Sequence, residues 1–178
     1  MNKLLIVVDM QNDFVTGSLK NPAAEKIIPN IVRKLRADDY AYLAFTRDTH
    51  EEDYLETQEG KNLPVKHCIK NTEGWEIVPE LQEFTDHALI IDKPTFGFKD
   101  WDKEISTYFD DTFPDDFPDE IELVGTCTDI CVVSNALILK SLYPEMKITV
   151  DSSCCAGLTE EAHNAALLTM KNCQINVK

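Results

Sequence analysis

The chain has 178 residues, 43% of them hydrophobic and 28% charged, with a formal net charge of −15. That length and balance suit one globular domain, 1–178, with a substantial core. The negative charge repels nucleic acid phosphates and anionic lipid surfaces, which sets both aside as partners.

No run approaches the ~18 apolar residues of a membrane span. The opening MNKLLIVVDMQNDF carries a short apolar run that meets Asp9. It is too short for a signal-peptide core and reads as a first strand. A cytoplasmic location is therefore expected, with the six cysteines reduced. Their spacing contains no CxxC pair, which speaks against zinc ribbons and thioredoxin chemistry.

In chain order, strands are predicted over 4–8, 40–45, 87–92, 120–125, 147–151 and 174–177. Several are continuous apolar runs, as expected for strands covered on both faces. Helical spacing falls between them, over 25–37, 76–84, 99–109, 131–143 and 159–172. Pro29 and Pro79 are placed in first turns, where a missing N–H costs little. Thr159 reads as an N-cap followed by first-turn acids. This alternation predicts an α/β fold: a doubly wound, mainly parallel six-stranded sheet flanked by helices. Ligands of such sheets sit at the carboxyl ends of the strands.

Two segments break the rhythm. Residues 48–75 form a long polar stretch with little periodicity, and connections of that length are usually functional or disordered. Residues 109–122 are acidic with two prolines and read as a solvated loop.

Asp9 closes the first predicted strand, Lys93 closes the third, and Cys131 follows the fourth by a short turn. Alone, each has an ordinary explanation: a turn residue, a solvated lysine, a core cysteine. Together they place three reactive groups where an α/β site would lie. A cysteine is nucleophilic as thiolate. A helix start capped by Thr128 or Asp129, with Lys93 nearby, would favour that anion. Asp9 would serve as the base. The turn GTCTDIC could aim the backbone N–H groups of Cys127 and Cys131 at one developing oxyanion. Cys127 and Cys131, four residues apart, are also compatible with a redox pair.

In the long polar segment, Asp48 and His50 stand two apart and would point the same way in extended backbone. His67 lies downstream, with Glu51, Glu52, Asp53, Glu56 and Glu59 between. Two histidines with carboxylates suit zinc, iron or manganese. From spacing alone, a polar surface loop is the slightly favoured explanation.

At these residues the chain resembles the isochorismatase-like cysteine hydrolase superfamily, and within it the nicotinamidase group. The resemblance runs nearly end to end through VVDMQNDFVTGSL, FTRDTH, LPVKHC, DKPTFGF and LVGTCTDICV. It implies Asp9 as base, Lys93 as cationic partner and Cys131 as nucleophile. It also implies an oxyanion hole from the Cys127 and Cys131 N–H groups, with a cis Thr126–Cys127 peptide. Asp48, His50 and His67 match the metal ligands, and the fourth, variable ligand is assigned to Glu59 with Glu56 second.

The implied cofactor is a divalent metal ion, zinc first, with iron or manganese as alternatives. The implied substrate is a small-molecule amide, first of all nicotinamide, hydrolysed to nicotinate and ammonia through a thioester. Phe14 matches one pocket wall. Leu63 stands where an aromatic wall is common, and Phe96–Gly97 replace a usual Tyr/Phe-Ser pair. A homo-oligomer is expected by analogy, and Trp101 is read as a packing residue with a possible reach into a partner's pocket. Two alternatives stay open: a metal-independent N-carbamoyl or ureido amidohydrolase of the same fold, and a non-enzymatic metal or redox module.

Overall fold

The computed structural model describes residues 2–37, 39–112 and 117–178. Six strands, β1 (Lys3–Val8), β2 (Tyr42–Asp48), β3 (Leu89–Lys93), β4 (Glu120–Thr126), β5 (Lys147–Ala156) and β6 (Asn176–Val177), form one sheet in the order β3-β2-β1-β4-β5-β6. All five pairings are parallel. Among the described residues seven α-helices connect them: α1 (Asn12–Val15), α2 (Pro22–Arg36), α3 (Gln58–Asn62), α4 (Pro79–Gln82), α5 (Trp101–Thr112), α6 (Val133–Leu142) and α7 (Glu160–Asn172).

The alternation of side chains along β1 divides the core in two. Leu4, Ile6 and Val8 meet Ile105 of α5, Leu139 of α6 and Met170 of α7 on one face. Leu5 and Val7 meet Ile27, Ile31 and Leu35 of α2 on the other. Both faces being covered explains the continuous apolar runs. The order reverses at β1: the chain builds β2 and β3 on one side and returns to add β4, β5 and β6 on the other, the kind of switch point where such folds bind ligands.

Several predicted bounds shift for identifiable reasons. β2 runs on to Asp48 because its polar end still pairs with β3, with Arg47 opposite Asp92 at 2.7 Å. β5 continues through a register shift to Ala156. Pro29 lies inside α2, where it forgoes a hydrogen bond; the first-turn proline is Pro22. Pro79 does open α4, which is one turn rather than the nine residues expected. Thr159 caps α7 by accepting from Ala162 N. The stretch 48–75 is not structureless: it holds a 3-10 turn at Tyr54–Glu56, α3, and another turn at Glu73–Trp75. The predicted acidic loop begins inside α5, and its middle, 113–116, lies outside the described residues.

At the opposite end from the crevice, Lys34 of α2 bridges Glu122 at 2.8 Å and Asp151 at 2.6 Å. Burial acts to raise the Asp151 carboxyl, but its bonds to Lys34 and Ser153 outweigh it and hold the group below the ordinary range. A carboxyl depressed in the folded state contributes stability above its unfolded pKa of about 3.9, and that contribution is lost as pH falls through the lower folded value. Asp151→Asn should therefore flatten the loss of stability below about pH 4, measured as the urea midpoint across the acid range; an unchanged pH slope would refute this.

Candidate active site

The carboxyl ends of β1, β2 and β3 and the turn after β4 converge on one buried cluster. Asp9 follows β1 with φ 49°, a left-handed turn that swings the chain away from the sheet. Its side chain is fully buried. Asp9 Oδ1 accepts from the Thr46 hydroxyl, and the Asp9 N–H donates to Thr46 O at 3.2 Å. Lys93, also fully buried, places Nζ 2.7 Å from Asp9 Oδ2, 3.5 Å from Asp48 Oδ1 and 3.8 Å from Cys131 Sγ. The Asp9–Lys93 approach is an ion pair off the line of a hydrogen bond, and Asp9 Oδ2 has no hydrogen-bond partner among the described residues. The three side chains singled out at strand ends are thus in mutual contact range of one ammonium.

Cys131 lies in a π-helical turn, Thr128–Val132, that precedes α6. Cys127 is its cap residue, and the Thr126–Cys127 peptide is cis. Thr128 and Asp129 are not the caps expected from sequence, since both lie within the turn. The Asp129 carboxylate instead accepts from Leu158 N at 3.0 Å, and the Thr128 hydroxyl meets His163 Nδ1 at 2.8 Å.

The electrostatics at Cys131 set burial against Lys93. Burial and the neighbouring Asp9 push the Cys131 thiol well above the ordinary cysteine value, and Lys93 opposes them without prevailing. Burial raises the Asp9 carboxyl too, with Lys93 acting against it. Burial works against the Lys93 charge, but Asp9, Cys131 and Asp48 outweigh it and raise the ammonium above ordinary lysine. Burial thus raises both the Cys131 thiol and the Asp9 carboxyl, with the Lys93 ammonium opposing it at each.

Beside this cluster, one donor atom each from Asp48, His50, Glu59 and His67 lies within 4.8 Å of the others. His50 Nε2 is 3.0 Å from Asp48 Oδ2 and 3.6 Å from Glu59 Oε1. His67 Nε2 is 3.6 and 3.8 Å from the same two oxygens. His67 Nδ1 donates to Val65 O at 2.9 Å, which fixes the ring with Nε2 turned toward the cluster. Glu59 stands on α3, whereas Glu56, the second choice from sequence, is exposed on the preceding turn.

Burial would raise Asp48, yet the histidine bonds and Lys93 hold it far below an ordinary aspartate. Burial and the Asp48 charge raise Glu59. Glu59 Oε1 is buried without a hydrogen-bond partner among the described residues. Two imidazoles, two carboxylates and an orphaned oxygen facing one point fit a divalent metal ion.

A cavity of about 430 Å³ opens over both clusters, lined by Phe14, Leu63, Phe96, Asp48, Glu59, His67, Cys127 and Cys131 among others. Phe14 is buried and packs 5.7 Å from the His67 ring, while Leu63 and Phe96 are exposed at the rim. Trp101 does not reach toward a pocket: it is fully buried and donates Nε1 to Asn135 Oδ1 at 2.8 Å.

Sequence reading missed three contributors. Thr46 fixes Asp9. Tyr54 is fully buried, its ring 4.6 and 4.9 Å from those of His50 and His67. Asn135 bonds both Cys131 O and Phe96 O, tying the nucleophile turn to the pocket rim. An amide inside the largely apolar run VVSNALIL was the available signal for Asn135.

Residues 3–177 match the family described as the isochorismatase domain. The chain belongs to that family. It is 30% identical to the nicotinamidase of Saccharomyces cerevisiae, covering 98% of each chain. It superimposes on the crystal structure of nicotinamidase/pyrazinamidase PncA from Bacillus subtilis with a TM-score of 0.83, at 27% identity and 99% coverage of each. A pyrazinamidase of Pyrococcus horikoshii in complex with zinc aligns with a TM-score of 0.78, at 29% identity, over 100% of this chain and 99% of that one.

The four donors predict metal uptake. Chelator-stripped protein should bind one zinc, iron or manganese ion per chain, read by elemental analysis after dialysis. Glu59→Gln, which discharges one ligand, should weaken that binding by at least about tenfold; unchanged affinity would remove Glu59 from the set.

Proposed function

We propose that this chain is a metal-containing cysteine amidohydrolase that converts nicotinamide to nicotinate and ammonia. The observation that carries the reading is the contact of Asp9, Lys93 and Cys131 beside a four-ligand cluster at the floor of one cavity. The likeness to nicotinamidases along the whole chain supports it.

Asp9 takes the thiol proton as Cys131 Sγ attacks the amide carbonyl carbon. The carbonyl oxygen gains charge and is held by the backbone N–H groups of Cys127 and Cys131. Asp9 returns the proton to the leaving nitrogen, the C–N bond breaks, and ammonia departs from a thioester. Asp9 then deprotonates a water that attacks the thioester, the C–S bond breaks, and the thiol is restored with release of the acid. Lys93 stays charged and offsets the negative charge shared by Asp9 and Cys131. Asp48, His50, Glu59 and His67 would hold a divalent ion, zinc first, which when bound would supply a Lewis acid to anchor the substrate ring. Phe14, Leu63 and Phe96 hold the ring. The four-ligand cluster favours this reading over a metal-independent ureido hydrolase, and the buried Asp9 and Lys93 favour it over a cysteine redox module.

Ammonia release from nicotinamide should fall on the order of 10⁴-fold or more in Cys131→Ala and stay within about tenfold in Cys127→Ala. Full activity in Cys131→Ala would sink the mechanism, and equal losses in both would return the paired-cysteine reading. Leu63→Phe should restore a stacking face at the rim worth about 1 kcal/mol, lowering KM for nicotinamide about fivefold with kcat little changed. A raised KM would show that Leu63 does not face the ring.

A further inference from the structure

β1 ends before β2 does. Its ladder partner for β2 stops at Val8, opposite Thr46, and the left-handed turn at Asp9 takes the backbone away. The Asp9 N–H still serves Thr46 O, but two residues further on the β1-facing edge of Asp48 has no strand beside it. Asp48 is the residue that most needs holding, since it stands between Lys93 on one side and His50 and His67 on the other.

The Gln11 side chain fills that place. Gln11 is fully buried. Its Oε1 accepts from Asp48 N at 2.7 Å, and its Nε2 donates to Asp48 O and to Trp75 O, both at 2.9 Å. A primary amide offers one carbonyl and two N–H donors, so the group is used in full and its orientation is fixed. It presents the same donor and acceptor pair that a backbone peptide of a longer β1 would present. The bond to Trp75 O extends the hold to the turn Glu73–Trp75, whose indole donates Nε1 to Thr49 at 2.8 Å, between Asp48 and His50.

We infer that Gln11 is a positioning residue: its side-chain amide acts as a one-peptide extension of β1, setting Asp48 in the geometry that faces Lys93 and the metal ligands together. The inference rests on the metal reading of the Asp48–His50–Glu59–His67 cluster. Groups that orient a ligand typically change metal affinity 10–100-fold when removed.

The test is zinc titration of chelator-stripped protein. Gln11→Met keeps the length of the side chain and loses all three bonds. Its zinc Kd should rise about 10–100-fold. Leu35→Ala, a core truncation on α2 remote from the site, should lower the melting temperature but bind zinc like the parent. Should Gln11→Met fail to melt cooperatively, Gln11→Glu, which keeps the acceptor for Asp48 N and loses both donors, is measured in its place with the same expectation. A zinc Kd within about twofold of the parent, or an equal loss in Leu35→Ala, would overturn the role of Gln11 alone. A parent chain that takes up no zinc, iron or manganese would overturn the metal assignment, and this role with it.

Discussion

The site depends on one buried ammonium. Lys93 is fully buried, and a charge in that position is tolerated only with close counter-charges. Asp9 and Asp48 supply them from the ends of two other strands. The dependence runs both ways: two buried carboxylates that close would repel each other without the lysine between them. Lys93 therefore joins Asp9 and Cys131 to the cluster of Asp48, His50, Glu59 and His67. The two halves of the chemistry share one electrostatic balance, so a change of charge in either alters the other.

The sheet makes that convergence possible. β1, β2 and β3 are adjacent and parallel, so their carboxyl ends deliver Asp9, Asp48 and Lys93 side by side. Cys131 arrives from across the switch point, after β4. The approach of β4 to β1 is close there: Gly125 has φ 119°, and a Cβ at that position would strike the Val8 carbonyl oxygen. Only glycine fits both the backbone angle and the space. The GT in GTCTDIC thus belongs to the sheet, and the reactive part of the segment begins at Cys127.

Much of this was legible in the sequence. Continuous runs such as LLIVV announce a doubly covered sheet, and the groups at strand ends announce a crevice. Asp9, Lys93, Cys131, Asp48, His50, Glu59 and His67 all meet where the motifs placed them. What periodicity could not supply was anything carried by tertiary polar contacts. β2 outlasts its apolar run because Arg47 finds Asp92. Glu59 was separated from Glu56 only by the short helix on which it stands. A helix start and a nearby lysine were legible as features favouring the Cys131 anion, but the burial that opposes them is not visible in sequence. Gln11, Thr46 and Asn135 were invisible for a related reason: each acts through a hydrogen bond to a residue more than thirty positions away, or to backbone, and leaves no spacing to read.

The order of the strands has a consequence for how the protein comes into being. Asp9 and Cys131 are separated by most of the chain, and the β1–β4 pairing that brings them together joins Lys3 to Glu120 at its start. Contacts of such long sequence separation form late and slowly, because the loop between them must be ordered first. A nascent chain that has folded through β3 already owns Asp9, Asp48, Lys93, His50, His67 and Glu59, but not Cys131. The Asp48, His50, Glu59 and His67 cluster can come together within the first half of the chain, before the Cys131 thiol is joined to it across the β1–β4 pairing.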